Sequence, residues 1–192
     1  FLDDHGYGVG QRLWQQLYPS LTLQALLRPM LPLLERFSPA RHHSTVAHQT
    51  SLTSVETDDV GVFFRYFDGF FLYGFLLAHA DDDVLDCFDV GHRDCTRRDF
   101  AWLKRLWSRN QIARGSDRTV AKLFSVGAAL PQFQQAFPDA KILYLARDPL
   151  QVIPSGISLV TGVLEKRYKF SSLPEELRRR YCHRMSTALL EL

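Results

Sequence analysis

The chain has 192 residues, 46% hydrophobic and 23% charged, with 23 Lys and Arg against 21 Asp and Glu for a net charge of +2. That length and composition fit one globular domain with a sizeable core and exclude a disordered or collagen-like chain. The near balance of charge gives no call for a nucleic-acid partner, and the odd count of three cysteines, Cys87, Cys95 and Cys182, fits a reduced, cytoplasmic compartment better than a disulfide framework.

In chain order, residues 9–18 and 21–37 read as helical, the second interrupted by Pro29 and Pro32. The glycines Gly6, Gly8 and Gly10 follow no strand and precede no Gly-Lys-Ser/Thr, so they are not a Walker-type loop. Residues 38–53 are polar, carry Pro39 and three histidines (His42, His43 and His48), and read as a loop. Residues 54–80 read as a helix rich in aromatics, weakened by Gly61, Gly69 and Gly74, with residues 63–75 packing the core or lining an acceptor pocket. The apolar run from Gly69 to Ala80 is too short to span a bilayer, so no integral membrane segment is expected.

Residues 81–95 read as an acidic loop. Cys87 and Cys95 stand eight apart with only His92 between them, which is not zinc-site spacing, and Asp81-Asp82-Asp83 lacks the Gly and Glu of a calcium loop, so no metal is expected. Residues 97–112 place Phe100, Leu103, Leu106 and Trp107 on one helical face, and Gly115 follows as a stop.

From Arg118 the pattern reads as strand, turn, helix and strand. The first strand is 118–124, a turn at 126–130 leads into a helix ending at Ala136, and Pro138-Asp139 precedes a second strand whose core is Ile142-Leu143-Tyr144-Leu145-Ala146. A continuous apolar run of this kind is expected of a parallel strand buried on both faces. Asp148 and Pro149 are N-cap and first residue of a helix, with Pro154 expected to kink it or to start a second one. Ser172-Leu173-Pro174-Glu175 reads as a capping box before a helix with Leu177, Tyr181, Met185 and Leu189 on one face.

The segment Phe137 to Leu159 resembles the 3′-phosphate-binding element of sulfotransferases that use 3′-phosphoadenosine-5′-phosphosulfate. Its strand ends in Arg147, an Asp-Pro turn follows, and Ser155 stands eight residues after the arginine. The stretches Phe137-Pro138-Asp139-Ala140-Lys141 and Thr119-Val120-Ala121-Lys122-Leu123-Phe124-Ser125 are similar to the bacterial-type branch.

The resemblance implies an α/β fold, a small parallel sheet flanked by many helices, in a single domain over residues 1–192. It implies sulfuryl transfer from that nucleotide to a hydroxyl or amine of a small-molecule acceptor. Arg147 and Ser155 would bind the 3′-phosphate, and Lys122 would stabilise charge on the bridging oxygen. Phe124 stands where some members carry a histidine, so the base is open: His42 or His43 are candidates, with Glu56 and Asp58 weaker ones. No Gly- and Ser/Thr-rich 5′-phosphosulfate loop is recognisable before Lys122. The chain, which begins at Phe1, is therefore expected to be truncated at its N-terminus or to have lost transfer activity. The alternatives are a non-catalytic nucleotide-binding module and a helical interaction domain.

Overall fold

A computed structural model describes residues 26, 28–34, 59–80, 83–87 and 89–190. Among the described residues six α-helices run in order: α1 (Leu31–Leu34), α2 (Val60–Tyr66), α3 (Thr96–Arg114), α4 (Leu130–Ala136), α5 (Pro149–Tyr168) and α6 (Glu175–Leu190). A π-helical stretch, Phe71–Leu76, follows α2, and short 3-10 turns at Val84–Cys87, Val126–Ala129 and Phe170–Ser172 join the rest. No described helix is long and apolar enough to cross a membrane.

The expected α/β fold is corrected: the described residues contain no strand and no sheet. Neither segment expected as a strand forms one, and no backbone hydrogen bond joins 118–124 to 141–147. Residues 141–147 are all exposed, Leu143 at 82% and Leu145 at 77%, and in 118–124 Val120 is 91% exposed while Leu123 is half-buried. A strand is defined by its neighbour, and an apolar run alone supplies no partner for its N–H and C=O groups.

The helical expectations fare better. Phe100, Leu103 and Leu106 are buried on one face of α3, which stops at Gly115 in the left-handed region (φ 62°). The Asp148 carboxylate accepts from the Leu150 N–H at 2.9 Å and opens α5, with Pro149 at its start. Of the two outcomes expected at Pro154, a second helix does not occur: α5 runs on through it as one helix. The expected capping box is not formed: the Ser172 hydroxyl and N–H both donate to the Lys169 carbonyl, Glu175 pairs with Arg179, and no hydrogen bond joins Ser172 to Glu175.

Two apolar clusters form the core. In one, α5 and α6 pack on each other and on the π-helical stretch through Phe70, Phe75, Val160, Leu164, Tyr181, Met185 and Leu189. In the other, α2, α3 and α4 meet through Val62, Phe100, Leu103, Val126, Ala129 and Phe133. The segment from Asp59 to Leu77 belongs to both. It is not the continuous helix its composition suggests, because the chain breaks between α2 and the π-helical stretch. Phe67 ends α2 in the left-handed region at φ 51°, and Gly69 follows at φ 85°. Phe124 packs on the first of these clusters, its ring 5.6 Å from Phe70, 5.8 Å from Phe71 and 6.0 Å from Phe75.

Tyr181 is fully buried, and its hydroxyl has no hydrogen-bond partner among the described residues. An unsatisfied buried hydroxyl costs about 1–3 kcal/mol. Tyr181→Phe keeps the ring contact with Phe170, 5.2 Å away, and removes that cost. Urea unfolding should show it more stable than wild type by about 1 kcal/mol; equal or lower stability would mean that the hydroxyl is satisfied.

Candidate functional site

The two left-handed residues deliver Asp68 into the interior. Its side chain is only 8% exposed. The Gly69 N–H donates to its Oδ1 at 2.8 Å, Arg93 Nη1 to the same oxygen at 3.0 Å, and Arg98 Nη2 to Oδ2 at 2.8 Å. Arg93 Nη2 also donates to Oδ2, so its guanidinium grips the carboxylate with both prongs. Arg98 further bonds Asp99 through Nε at 2.7 Å and lies 4.3 Å over the Tyr66 ring. Tyr73 accepts from Arg93 at 3.5 Å.

Burial pushes the Asp68 carboxyl up, but the hydrogen bonds from Arg93, Arg98 and Gly69 outweigh it and hold its pKa below the usual value. Asp99 goes the other way: burial raises it, and Arg98 only partly offsets this. A second buried carboxylate, Asp59, caps the turn before α4. It accepts from the Phe124 N–H at 3.0 Å and from the N–H and hydroxyl of Ser125, each at 2.5 Å.

Beside the Asp68 cluster lies a cavity of about 90 Å³ lined by Phe70, Cys87, Arg93, Cys95 and Arg98 among others. It has room for a few waters, well short of the roughly 300 Å³ or more that small-molecule sites occupy. Its two arginines are spent on Asp68, so the cluster is a structural clamp rather than an anion site.

The site residues expected from the sequence are elsewhere. Lys122, Arg147 and Ser155 are all exposed, and none of them lines this cavity. Arg147 lies just before the Asp148 cap of α5, and Ser155 lies seven residues beyond that cap, about two turns into the helix. Among the described residues no side-chain hydrogen bond or ion pair engages Arg147, Ser155 or Lys122, and none links Arg147 to Ser155. His42, His43, Glu56 and Asp58 lie outside the described residues. The aromatic residues Phe63, Phe70 and Phe71 do line the cavity, and Phe63 and Phe70 are buried.

Sequence reading missed the Asp68 clamp. Its one signal was the Asp68-Gly69 dipeptide, a turn marker inside an apparently helical run. Among the described residues no group of three or more His, Cys, Asp or Glu side chains is placed to hold a metal. Comparison with protein-family models, curated proteins and solved structures returned no match for this chain.

The two shifted carboxyls give acid unfolding a defined sign. Asp99, raised in the folded state, costs stability at neutral pH and returns it as pH falls through its folded pKa towards 3.8. Asp68, lowered in the folded state, adds stability above 3.8 that is lost as pH falls from there through its folded pKa. Urea midpoints measured from pH 7 to pH 2 should therefore fall less steeply below pH 4 in Asp68→Asn than in wild type, and Asp99→Asn should lose the gain above pH 4. Parallel curves for all three proteins would contradict these assignments.

Proposed function

We propose that the chain binds the 3′-phosphate of an adenosine 3′,5′-bisphosphate-type nucleotide through Arg147 and Ser155, in the service of sulfuryl transfer to a hydroxyl or amine. The observation that carries the reading is an exposed guanidinium just before α5 with no intramolecular partner among the described residues, and an exposed hydroxyl about two turns into that helix. A planar cation with paired donors and a hydroxyl are a fitting donor set for a phosphate dianion. The N-terminal end of a 20-residue helix adds favourable potential for an anion.

In this reading Arg147 and Ser155 hold and orient the nucleotide, which supplies the sulfuryl group. Lys122 places a positive charge towards the reacting centre, where charge builds on the bridging oxygen. His42 or His43 takes the proton of the acceptor. With three free cysteines and no described helix able to cross a membrane, a reducing, cytoplasmic setting is the compartment we assign.

A second reading has its own support. The exposed apolar residues Ile142, Leu143, Tyr144 and Leu145 form a run outside any helix or strand, which suits an interaction domain. The aromatic stretch considered for that role on sequence is largely unsuited to it, because Phe63, Phe70 and Phe75 are buried.

Calorimetry with adenosine 3′,5′-bisphosphate tests the first reading. One molecule should bind per chain, with affinity falling as salt rises. Arg147→Ala should weaken binding by about ten- to a hundredfold, the loss of a charge-assisted contact, and Ser155→Ala by less. No heat with wild type, or unchanged affinity in Arg147→Ala, would overturn the reading and leave the interaction domain.

A further inference from the structure

Away from Arg147 and Ser155, α3 carries a charge pattern that the fold does not use. The chain as a whole is nearly balanced, at +2, but α3 holds six Lys and Arg against one acidic residue, Asp99. Arg98 is held by Asp99 and Asp68. Arg114 stands in the last turn, where the helix end favours a cation. Arg97, Lys104, Arg105 and Arg109 remain. All four are exposed, and among the described residues none of them has a hydrogen bond or an ion pair.

The arginines of α6 show the usual arrangement. Arg179 pairs with Glu175 at 2.6 Å and Arg180 with Glu176 at 3.7 Å, opposite charges four residues apart. Arg178 donates to the Leu173 carbonyl at 3.2 Å, and Arg184 donates to the Ala80 carbonyl. On α3 the charges oppose the helix instead. Arg105 and Arg109 are like charges four residues apart, and Arg97 stands in the first turn, where the helix end repels a cation. Asp94, just before the helix, already accepts from the Thr96 N–H at 2.8 Å and from its hydroxyl at 2.6 Å. The four cations are unfavourable within the chain, and an external anion would relieve them.

Their placement narrows the anion. At 3.6 residues per turn the four fall within an arc of about 140°. Ala101, Ser108 and Ile112 run down the middle of it, with Arg97 and Lys104 on one flank and Arg105 and Arg109 on the other. The apolar face of α3, with Phe100, Leu103 and Leu106, is committed to the core, and among its described residues Ile112 is the one large apolar side chain exposed. A helix that lies in a bilayer surface needs a free apolar face. Trp102 and Trp107 pack against the core, so α3 exposes no ring for unpaired bases to stack on. A duplex fits better. A helix is about 10–12 Å across, and the major groove of B-form DNA, about 12 Å wide, admits one. The deep, narrow major groove of duplex RNA does not.

We propose that the exposed face of α3 binds the phosphate backbone of duplex DNA, with Arg97 and Lys104 contacting one strand and Arg105 and Arg109 the other. Small side chains along the middle let the helix approach the groove, and the guanidinium groups supply paired donors to phosphate oxygens. Contacts of this kind position a protein on DNA without reading its sequence.

The test is fluorescence anisotropy of the whole chain with a labelled DNA duplex of mixed sequence. Binding should weaken as salt rises, with log K falling against log salt at a slope of about −3 to −4 for four phosphates. A second duplex of unrelated sequence should bind equally well. The pair Arg105→Gln and Arg109→Gln should weaken binding about ten- to a hundredfold and reduce the slope by about 2. The pair Arg97→Gln and Lys104→Gln should do the same. Glutamine keeps the helix propensity, so circular dichroism of both variants should match wild type. Arg179→Gln with Arg180→Gln removes the same charge from α6 and should leave binding unchanged. Single-stranded DNA, duplex RNA and phosphatidylserine vesicles should each bind more weakly than duplex DNA. No binding at low salt, equal losses in the α3 and α6 variants, or tighter binding to any of the other three partners would overturn the proposal.

Discussion

A buried carboxylate held by two guanidinium groups is the constraint on which the centre of this structure depends. Asp68 is placed by an unusual piece of backbone, a phenylalanine and a glycine on either side of it in the left-handed region. For a bulky residue such as Phe67 that conformation costs about 1–2 kcal/mol, so something must hold it. The chain recovers the cost in what the bend delivers: a charge that meets Arg93 from the turn and Arg98 from α3 at one point. Without both arginines the carboxylate would be an unpaired buried charge, one of the most expensive defects a small domain can carry. The same bend sends Phe70 and Phe75 into the α5–α6 cluster while Val62 stays with α3 and α4, so the clamp sits at the seam between the two halves of the core.

The parts of the fold that depend on local chemistry were legible in the sequence. The apolar spacing of Tyr181, Met185 and Leu189 and of Phe100, Leu103 and Leu106 led to buried faces, and Gly115 and Asp148-Pro149 marked real helix ends. What depended on distant partners was not legible. Ile142 to Leu145 carries the composition of a buried strand, yet nothing in that string says which backbone would lie beside it, and in the fold none does. Periodicity alone does not separate a buried strand from an apolar run left in solvent. The break at Phe67 was invisible for a related reason, since its left-handed backbone is selected by contacts of Asp68 with residues 25 and 30 positions away.

The candidate sites divide along the same line. Arg147 and Ser155 were proposed from their spacing in the sequence; in the fold one precedes the Asp148 cap of α5, the other lies about two turns into that helix, and no bond joins them. The Asp68 clamp needed tertiary structure, although the Asp68-Gly69 dipeptide was in view. The Arg93 guanidinium also joins the Cys87 carbonyl to the Asp68 carboxylate, which couples the turn to the seam of the core.

That coupling makes the Asp68–Arg93 contact the point at which the account is most exposed. A double-mutant cycle with Asp68→Ala, Arg93→Ala and the double variant, read by urea unfolding at neutral pH, measures it directly. The fork geometry calls for a coupling energy of about 1–3 kcal/mol. Single losses that simply add would show that the two side chains do not hold each other and that the bend at Phe67 is maintained by other contacts.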